Sequence, residues 1–96
     1  MDHPLILERE LTTHRPDGGK ILAVSIIQND NAKWQINVDI SWKSPSSFTV
    51  SEFDVRRIRY YKRAATAIRH AVSSYHYFGI IAVYPLEGQP LPNVSI

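Results

Sequence analysis

The chain has 96 residues, of which 44% are hydrophobic and 21% charged, a composition typical of one globular domain and too short for two independent cores. It contains no cysteine, which excludes disulfides and thiolate metal sites and fits a reducing compartment. No apolar run reaches the roughly 18 residues that a membrane-spanning helix needs, and no secretory signal pattern follows Met1. We therefore expect a cytoplasmic protein.

Charge is distributed unevenly along the chain, although the formal net charge is only +2. Five of the eleven cations fall within the eight residues from Arg56 to Arg63, and Glu87 is the one acidic residue after Asp54. The C-terminal half is therefore basic, which is a property of the surface and its partners rather than of the fold.

The first part of the chain predicts two strands joined by a turn. Leu5 to His14 alternates loosely, and Arg9 interrupts its apolar side, so we interpret it as an edge strand. Pro16-Asp17-Gly18-Gly19 predicts a turn, since proline presets one dihedral and glycine accepts positive φ. Lys20 to Gln28 follows as a strand that is apolar on both faces, as a central strand would be.

The clearest strand runs from Trp34 to Trp42. Its apolar residues alternate strictly with polar ones, which predicts one buried and one wet face, with both tryptophans in the core. Phe48 to Val50 predicts a short fourth strand. Ile80 to Tyr84 predicts a last, buried strand that Pro85 ends.

Between these strands the spacing predicts one long amphipathic helix from Ser51 to about Tyr75–Phe78, with Ser51 and Asp54 resembling a capping box and Gly79 as a left-handed terminal residue. Apolar residues recur at steps of three and four, and the opposite face is basic. The apolar residues are Ile58, Tyr61, Ala65, Ile68, Val72 and Tyr75. The basic residues are Arg56, Arg59, Lys62, Arg63, Arg69 and His70.

These elements predict a single two-layer α+β domain over residues 1–96. We expect an antiparallel sheet of four to five strands with the helix packed on one face, in the order β-β-β-(β)-α-β. Residues 1–4 and 86–96 carry no periodicity and are expected to be extended or mobile ends.

No residue pattern indicates catalysis, so we do not expect an enzyme, a cofactor or a bound metal. The serines lie in loops or at the helix end, outside any nucleophile motif. His70 and His76 are six residues apart, a spacing that does not put two ligands on one helix face. Glu8 and Glu10 on the edge strand are read as protection against edge pairing. Metal-free RNA cleavage by His14, His70 or His76 remains a distant alternative.

Two surfaces are candidates for binding a partner. The first is the basic helix face, whose arginines and neighbouring Tyr60 suit an acidic protein or a nucleic acid. The second is the wet face of the third strand, whose uncharged polar surface suits a protein. The candidate partner-binding residues are Arg56, Arg59, Lys62 and Arg63 on the first surface and Gln35, Asn37 and Asp39 on the second.

The layout of the chain resembles that of the small bacterial α+β proteins encoded beside polymorphic or contact-dependent toxins, which act as immunity partners. The resemblance lies in Glu8-Arg9-Glu10-Leu11, the Asp17-Gly18 turn, the Trp34 strand and the helix Phe53-Asp54…Ala64-Ala65…Ala67-Ile68. It implies a protein that binds one cognate toxin domain and catalyses nothing. Many relatives that block nucleases are acidic, so the basic helix departs from their pattern and implies a toxin with an acidic contact surface, or contact through the sheet.

The function we expect is therefore that of a non-enzymatic protein-binding domain, an inhibitor or immunity protein (antitoxin) that neutralises a toxin or effector. The alternative is a small nucleic-acid-binding protein that uses the basic helix face.

Overall fold

The chain folds as an α+β domain with a five-stranded mixed sheet and two helices. The structure is a computed structural model and describes residues 3–86. Its elements in chain order are β1 (Leu5–Ile6), α1 (Glu8–Leu11), β2 (Ile21–Gln28), β3 (Trp34–Ile40), β4 (Ser47–Val50), α2 (Ala64–Ser74) and β5 (Ile81–Tyr84).

The sheet has the strand order β1-β4-β3-β2-β5. The three inner strands β4, β3 and β2 are antiparallel to one another, as predicted. The two edges are not, because β1 runs parallel to β4 and β5 runs parallel to β2. Parallel pairing requires a crossover connection, and for β5 the chain supplies it through α2.

The core lies between α2 and one face of the sheet. Val24 and Ile26 of β2 are opposite Val38 and Ile36 of β3, and all four side chains are buried. Trp34 and Trp42 pack against this core as predicted, although β3 ends at Ile40. Ala67 and Ala71 place α2 close to the sheet because their side chains are small.

The predicted edge strand from Leu5 to His14 is wrong beyond Ile6. Only Leu5 and Ile6 pair with β4, and Glu8 to Leu11 form the short helix α1. The Glu10 carboxylate accepts a hydrogen bond from the Leu7 N–H at 3.2 Å, which satisfies a free donor at the start of this helix. Glu8 and Glu10 therefore share no strand face.

The predicted start of the long helix is also wrong, because α2 begins at Ala64 and the chain from Glu52 to Arg63 is irregular. Ser51 is no helix cap, since it pairs with Ile58 in a β-bridge, and Trp34 pairs with Tyr61 in another. The three-residue spacing of Ile58 and Tyr61 mimics a helical stripe, but tertiary pairing overrides helix propensity here. Arg69 and His70 are the only members of the predicted basic face that lie in α2.

Two turns contain a residue with positive φ, and the sequence predicts only the first of these residues correctly. Gly18 adopts φ 78°, and the Gly19 N–H donates to the Pro16 carbonyl at 2.9 Å, which confirms the predicted turn. After α2 the left-handed residue is His76, with φ 54°, and not Gly79. Of the ends predicted to be extended or mobile, residues 1–2 and 87–96 lie outside the described part of the chain. Neither α1 nor α2 in the described part of the chain is long and apolar enough to cross a membrane.

Candidate functional site

A buried carboxylate connects three separate parts of the chain. Glu8, at the start of α1, is 6% exposed. Its Oε2 accepts a hydrogen bond from Tyr75 Oη at 2.7 Å and lies 2.6 Å from His70 Nε2; His70 lies in α2 and Tyr75 directly follows it. Its Oε1 accepts a hydrogen bond from Arg59 Nη1 at 3.3 Å. The buried-carboxylate cluster is defined here as Glu8, Arg59, Tyr61, His70 and Tyr75.

The aromatic members of this cluster pack on one another and on the arginine. The His70 and Tyr75 rings meet edge to face, with centroids 5.1 Å apart, and the His70 and Tyr61 centroids are 5.8 Å apart. The Arg59 guanidinium lies over the Tyr61 ring, 5.3 Å from its centroid, a cation–π contact. Ring packing therefore joins the members of the cluster in addition to their hydrogen bonds.

The environment fixes the protonation states of the acidic members. Burial opposes ionisation of Glu8, but the hydrogen bonds from His70 and Tyr75, with the charges of His70 and Arg59, outweigh it and hold its pKa below the ordinary 4.5. Burial raises the pKa of Tyr75, and the neighbouring Glu8 carboxylate raises it further. Burial raises the pKa of Tyr61 to about 12. Glu8 is thus an anion that accepts hydrogen bonds, and both tyrosines are neutral at pH 7.

Tyr61 differs from Tyr75 in one respect. Its hydroxyl is buried and finds no hydrogen-bond partner among the described residues, whereas the Tyr75 hydroxyl donates to Glu8. A buried hydroxyl without a partner costs free energy. Tyr61 therefore serves the cluster through its ring and its backbone, which exchanges two 2.8 Å hydrogen bonds with Trp34.

The arrangement combines a carboxylate, an imidazole and a guanidinium, groups that in an open cleft could transfer protons and hold an anion. Here the chain's own donors contact both oxygens of the enclosed Glu8 carboxylate. These contacts therefore have a structural role, because they hold together α1, α2 and the irregular chain between β4 and α2. Among residues 3–86, no group of three His, Asp or Glu side chains could hold a metal ion.

The irregular chain from Glu52 to Arg63, called the basic segment from here on, is fixed at several points. The Glu8 and Arg9 N–H groups donate to its Glu52 and Phe53 carbonyls at 3.3 and 3.2 Å. The Arg59 N–H donates to the Val50 carbonyl at 3.2 Å. Together with the Arg59–Glu8 ion pair, these bonds hold a segment without regular structure in one conformation.

The basic segment exposes apolar and cationic side chains side by side. Its exposed large apolar side chains are Phe53, Val55 and Tyr60, each between 44% and 46% exposed. A cavity of about 450 Å³ on this surface is lined by Phe53, Arg59 and Tyr60 together with the acidic residues Glu52 and Asp54. The four predicted cations of the segment lie close together in the chain but differ in the contacts they make.

Two of the predicted cations are engaged within the molecule and two are not. Arg59 pairs with Glu8, and Arg56 Nη1 donates to the Leu5 carbonyl at 3.1 Å. Arg57, which was not predicted as a site residue, makes a two-bond ion pair with Glu52 at 2.8 and 2.9 Å. Lys62 and Arg63 are exposed and form no ion pair with any residue from 3 to 86.

The three predicted residues of β3 lie on the sheet face opposite α2. Asn37 Oδ1 accepts hydrogen bonds from Thr49 Oγ1 at 2.9 Å and Gln35 Nε2 at 3.4 Å. Asp39 accepts a short hydrogen bond from the Ser47 hydroxyl. Two adjoining cavities of about 540 and 210 Å³ lie on this open sheet face, the first at Gln35 and Asn37 and the second at Asn37 and Asp39.

The structure places the two predicted surfaces next to each other. Ile58 of the basic segment and Leu5 of β1 line the larger cavity together with Gln35 and Asn37. Arg56 reaches the same corner through its hydrogen bond to the Leu5 carbonyl. The surfaces that the sequence presents as alternatives therefore form one continuous region, bounded by the basic segment on one side and β3 on the other.

Sequence reasoning missed the buried-carboxylate cluster. Glu8 and His70 are separated by 62 positions, and no local pattern marks either as buried. The predicted surface histidine His14 lies in an exposed turn after α1, and His76 is exposed after α2, so neither joins His70.

Comparison with protein-family models, with curated proteins and with solved structures found no match.

Proposed function

We propose that the chain is a non-enzymatic protein-binding domain, an inhibitor or immunity protein that binds and neutralises a cognate toxin or effector. The observation that carries the proposal is the basic segment, an irregular stretch that is tied to the core yet exposes Phe53, Val55 and Tyr60 beside uncompensated Lys62 and Arg63. Aromatic residues and arginine are enriched in protein interfaces and dominate their energetic hot spots.

The anchoring of the segment supports binding because a surface that is already ordered loses little conformational freedom when a partner docks. The ion pair between Arg59 and Glu8 and the backbone bonds to Glu52 and Phe53 supply this order. The cavity between Phe53, Arg59 and Tyr60 offers a recess for a partner side chain.

Charge indicates the kind of partner. Lys62 and Arg63 present positive charge without a compensating acid among the described residues, so the partner is a protein with an acidic contact surface. The open sheet face at Gln35, Asn37 and Asp39 adjoins the segment through Ile58 and would extend the contact. The inhibitor or immunity role rests in addition on the resemblance in layout to toxin-associated immunity proteins.

The experiment that tests this function is a tagged pull-down from a lysate of the source organism, run with and without nuclease. We expect one protein in stoichiometric amount in both samples, and we expect the purified complex to lack the toxic or catalytic activity of that protein alone. Recovery of nucleic acid alone, lost on nuclease treatment, would contradict the proposal.

A nucleic-acid-binding function is the second candidate, favoured by the exposed Tyr60 between cations. Its electrostatic contribution is limited, because ion pairs with Glu52 and Glu8 engage Arg57 and Arg59. With Arg56, Lys62 and Arg63 left to contact phosphates, log K should fall with log salt with a slope no steeper than about −3. Failure to retard single-stranded or duplex nucleic acid at low salt would eliminate this candidate.

A further inference from the structure

The β5 edge of the sheet carries the most exposed apolar residues of the described chain. Ile80 and Phe78, just before β5, are 89% and 79% exposed, and Tyr84 in β5 and Leu22 in β2 are both more than half exposed. Half of the N–H and C=O groups of an edge strand point away from the sheet. Within residues 3–86, the β5 edge therefore combines outward-facing backbone groups with apolar side chains, although the Ile80 carbonyl also accepts a hydrogen bond from Tyr77 Oη at 2.8 Å.

We propose that this edge binds a second copy of the chain by antiparallel pairing of β5 with β5, which joins the two five-stranded sheets into one. The pairing is centred on Ala82, so that a two-fold axis passes beside this residue in each copy. The proposal concerns assembly and is independent of the partner that the basic segment binds.

The register follows from the side chains on each face of β5. Ala82 and Tyr84 are opposite Ser25 and Ile27 on the open face of the sheet, whereas Ile81 and Val83 are opposite Val24 and Ile26 on the core face. Centring on Ala82 places Ile80 opposite Tyr84 of the second copy and Ile81 opposite Val83 of the second copy. Aromatic–aliphatic and branched aliphatic cross-strand pairs are favourable combinations, and the small Ala82 lets the strands approach at the axis.

Charge favours a second copy as the occupant. A two-fold interface must be complementary to itself, which an uncharged apolar surface is and a basic surface is not. From His70 to Leu86 the chain contains no Lys, Arg, Asp or Glu. Arg15 and Lys20 line a cavity with Phe78, near the N-terminal end of β5. Antiparallel pairing places the N-terminal ends of the two β5 strands at opposite ends of the interface, so the cations of one copy lie far from those of the other.

The rest of the sheet is compatible with this assembly. The opposite edge, β1, has two residues and follows Pro4, which makes it a poor template for pairing. The basic segment contacts β1 and α1 and lies at that opposite edge, so dimerisation through β5 leaves it accessible. The expected assembly is a two-fold dimer with a partner-binding surface on each outer side.

The first test is the mass of the purified full chain by sedimentation equilibrium over about a hundredfold range of concentration. We expect twice the chain mass of 11.0 kDa, hence about 22 kDa, and a single-chain mass for Ile80→Lys. The matched control is Thr66→Lys, which adds the same charge at an exposed position of α2 and should remain dimeric. A monomeric wild type, or an Ile80→Lys variant that is folded by circular dichroism and still dimeric, would overturn the proposal.

The second test uses the absence of cysteine from the chain. Ala82→Cys places one thiol beside the two-fold axis, where directly opposite strand positions are close enough for a disulfide. We expect mild oxidation to convert this variant into a covalent dimer much faster than Ser73→Cys, which places the thiol on exposed α2. Equal rates for the two variants would refute the register.

Discussion

Glu8 combines burial with negative charge, and its three partners explain how the fold accommodates both. Tyr75 donates a hydrogen bond at 2.7 Å, His70 Nε2 contacts the same oxygen at 2.6 Å, and Arg59 adds a hydrogen bond and positive charge at 3.3 Å. Removing one partner from a buried charge is costly because the charge remains desolvated. The cluster therefore makes the position of the basic segment depend on a few side chains that can be altered singly.

The two tyrosines of the cluster give a matched pair of substitutions. Tyr75→Phe removes a 2.7 Å donor to the Glu8 carboxylate, so we expect the free energy of unfolding to fall by about 1.5–3 kcal/mol. Tyr61→Phe removes a buried hydroxyl without a partner, so we expect no loss and a gain of up to about 1 kcal/mol. Urea denaturation measures both. An equal loss from the two substitutions would contradict the assigned hydrogen bonds.

Stability should depend on pH through Glu8. Its folded pKa lies below the ordinary 4.5, so its contribution is fully present above about pH 4.5 and is lost as pH falls through the folded pKa. We expect Glu8→Gln to unfold more easily by about 2–3 kcal/mol at pH 7. The difference from wild type, measured by urea denaturation across the acid range, should shrink below pH 4.5. A difference that does not change with pH would contradict the assignment.

At the scale of elements, the basic segment takes its conformation from pairing and not from helix formation. Its hydrogen-bonded amides include those of Glu52 and Tyr61, which donate to the Arg57 and Trp34 carbonyls at 2.8 Å. Since neighbouring residues in such pairing point their N–H groups in different directions, the segment should show protected and unprotected amides in alternation.

Hydrogen exchange of individual amides, followed by nuclear magnetic resonance, tests this conformation. We expect the Tyr61 amide to exchange slowly and the Tyr60 and Lys62 amides on either side to exchange fast. A helix through this region would protect all three amides through bonds to residues four positions earlier. Uniform protection from Tyr60 to Lys62 would contradict the irregular conformation and support the helix that the spacing predicts.

The elements that the sequence predicts well are those whose pattern is local. Strict alternation from Trp34 places β3, and apolar runs place β2 and β5, because neighbouring residues carry the pattern of burial. The prediction that Ile80 to Tyr84 is a buried strand is wrong, because β5 lies at the edge of the sheet and Ile80 and Tyr84 are 89% and 56% exposed.

The start of α2 could not be predicted, because Ile58 pairs with Ser51 and Tyr61 pairs with the distant Trp34. The structure after Ile6 could not be predicted either, because the Glu8 and Arg9 amides bond to the carbonyls of Glu52 and Phe53 far along the chain. The same holds for the candidate site: the sequence predicts its exposed cations, but not the contact between Glu8 and His70.

At the scale of the whole molecule, the sheet separates two surfaces. The basic segment and the open face at Gln35 and Asn37 meet at Ile58 near the β1 edge, and the apolar β5 edge lies on the other side. A protein partner on the first surface and a second copy on the other would not compete. The proposed function requires that the basic segment contacts the partner.

The most direct test of that claim is the affinity for the captured partner, measured by titration calorimetry for two charge-reversal variants. Lys62→Glu with Arg63→Glu changes the two cations of the segment whose side chains make neither an ion pair nor a hydrogen bond among residues 3–86, unlike Arg56, which donates to the Leu5 carbonyl. Lys20→Glu with Lys33→Glu makes the same change at exposed positions outside the segment. Each pair shifts the net charge by the same amount, so long-range electrostatics are matched. We predict at least about tenfold weaker binding for the first pair and less than about threefold for the second. Equal affinity for the two variants would contradict contact through the basic segment.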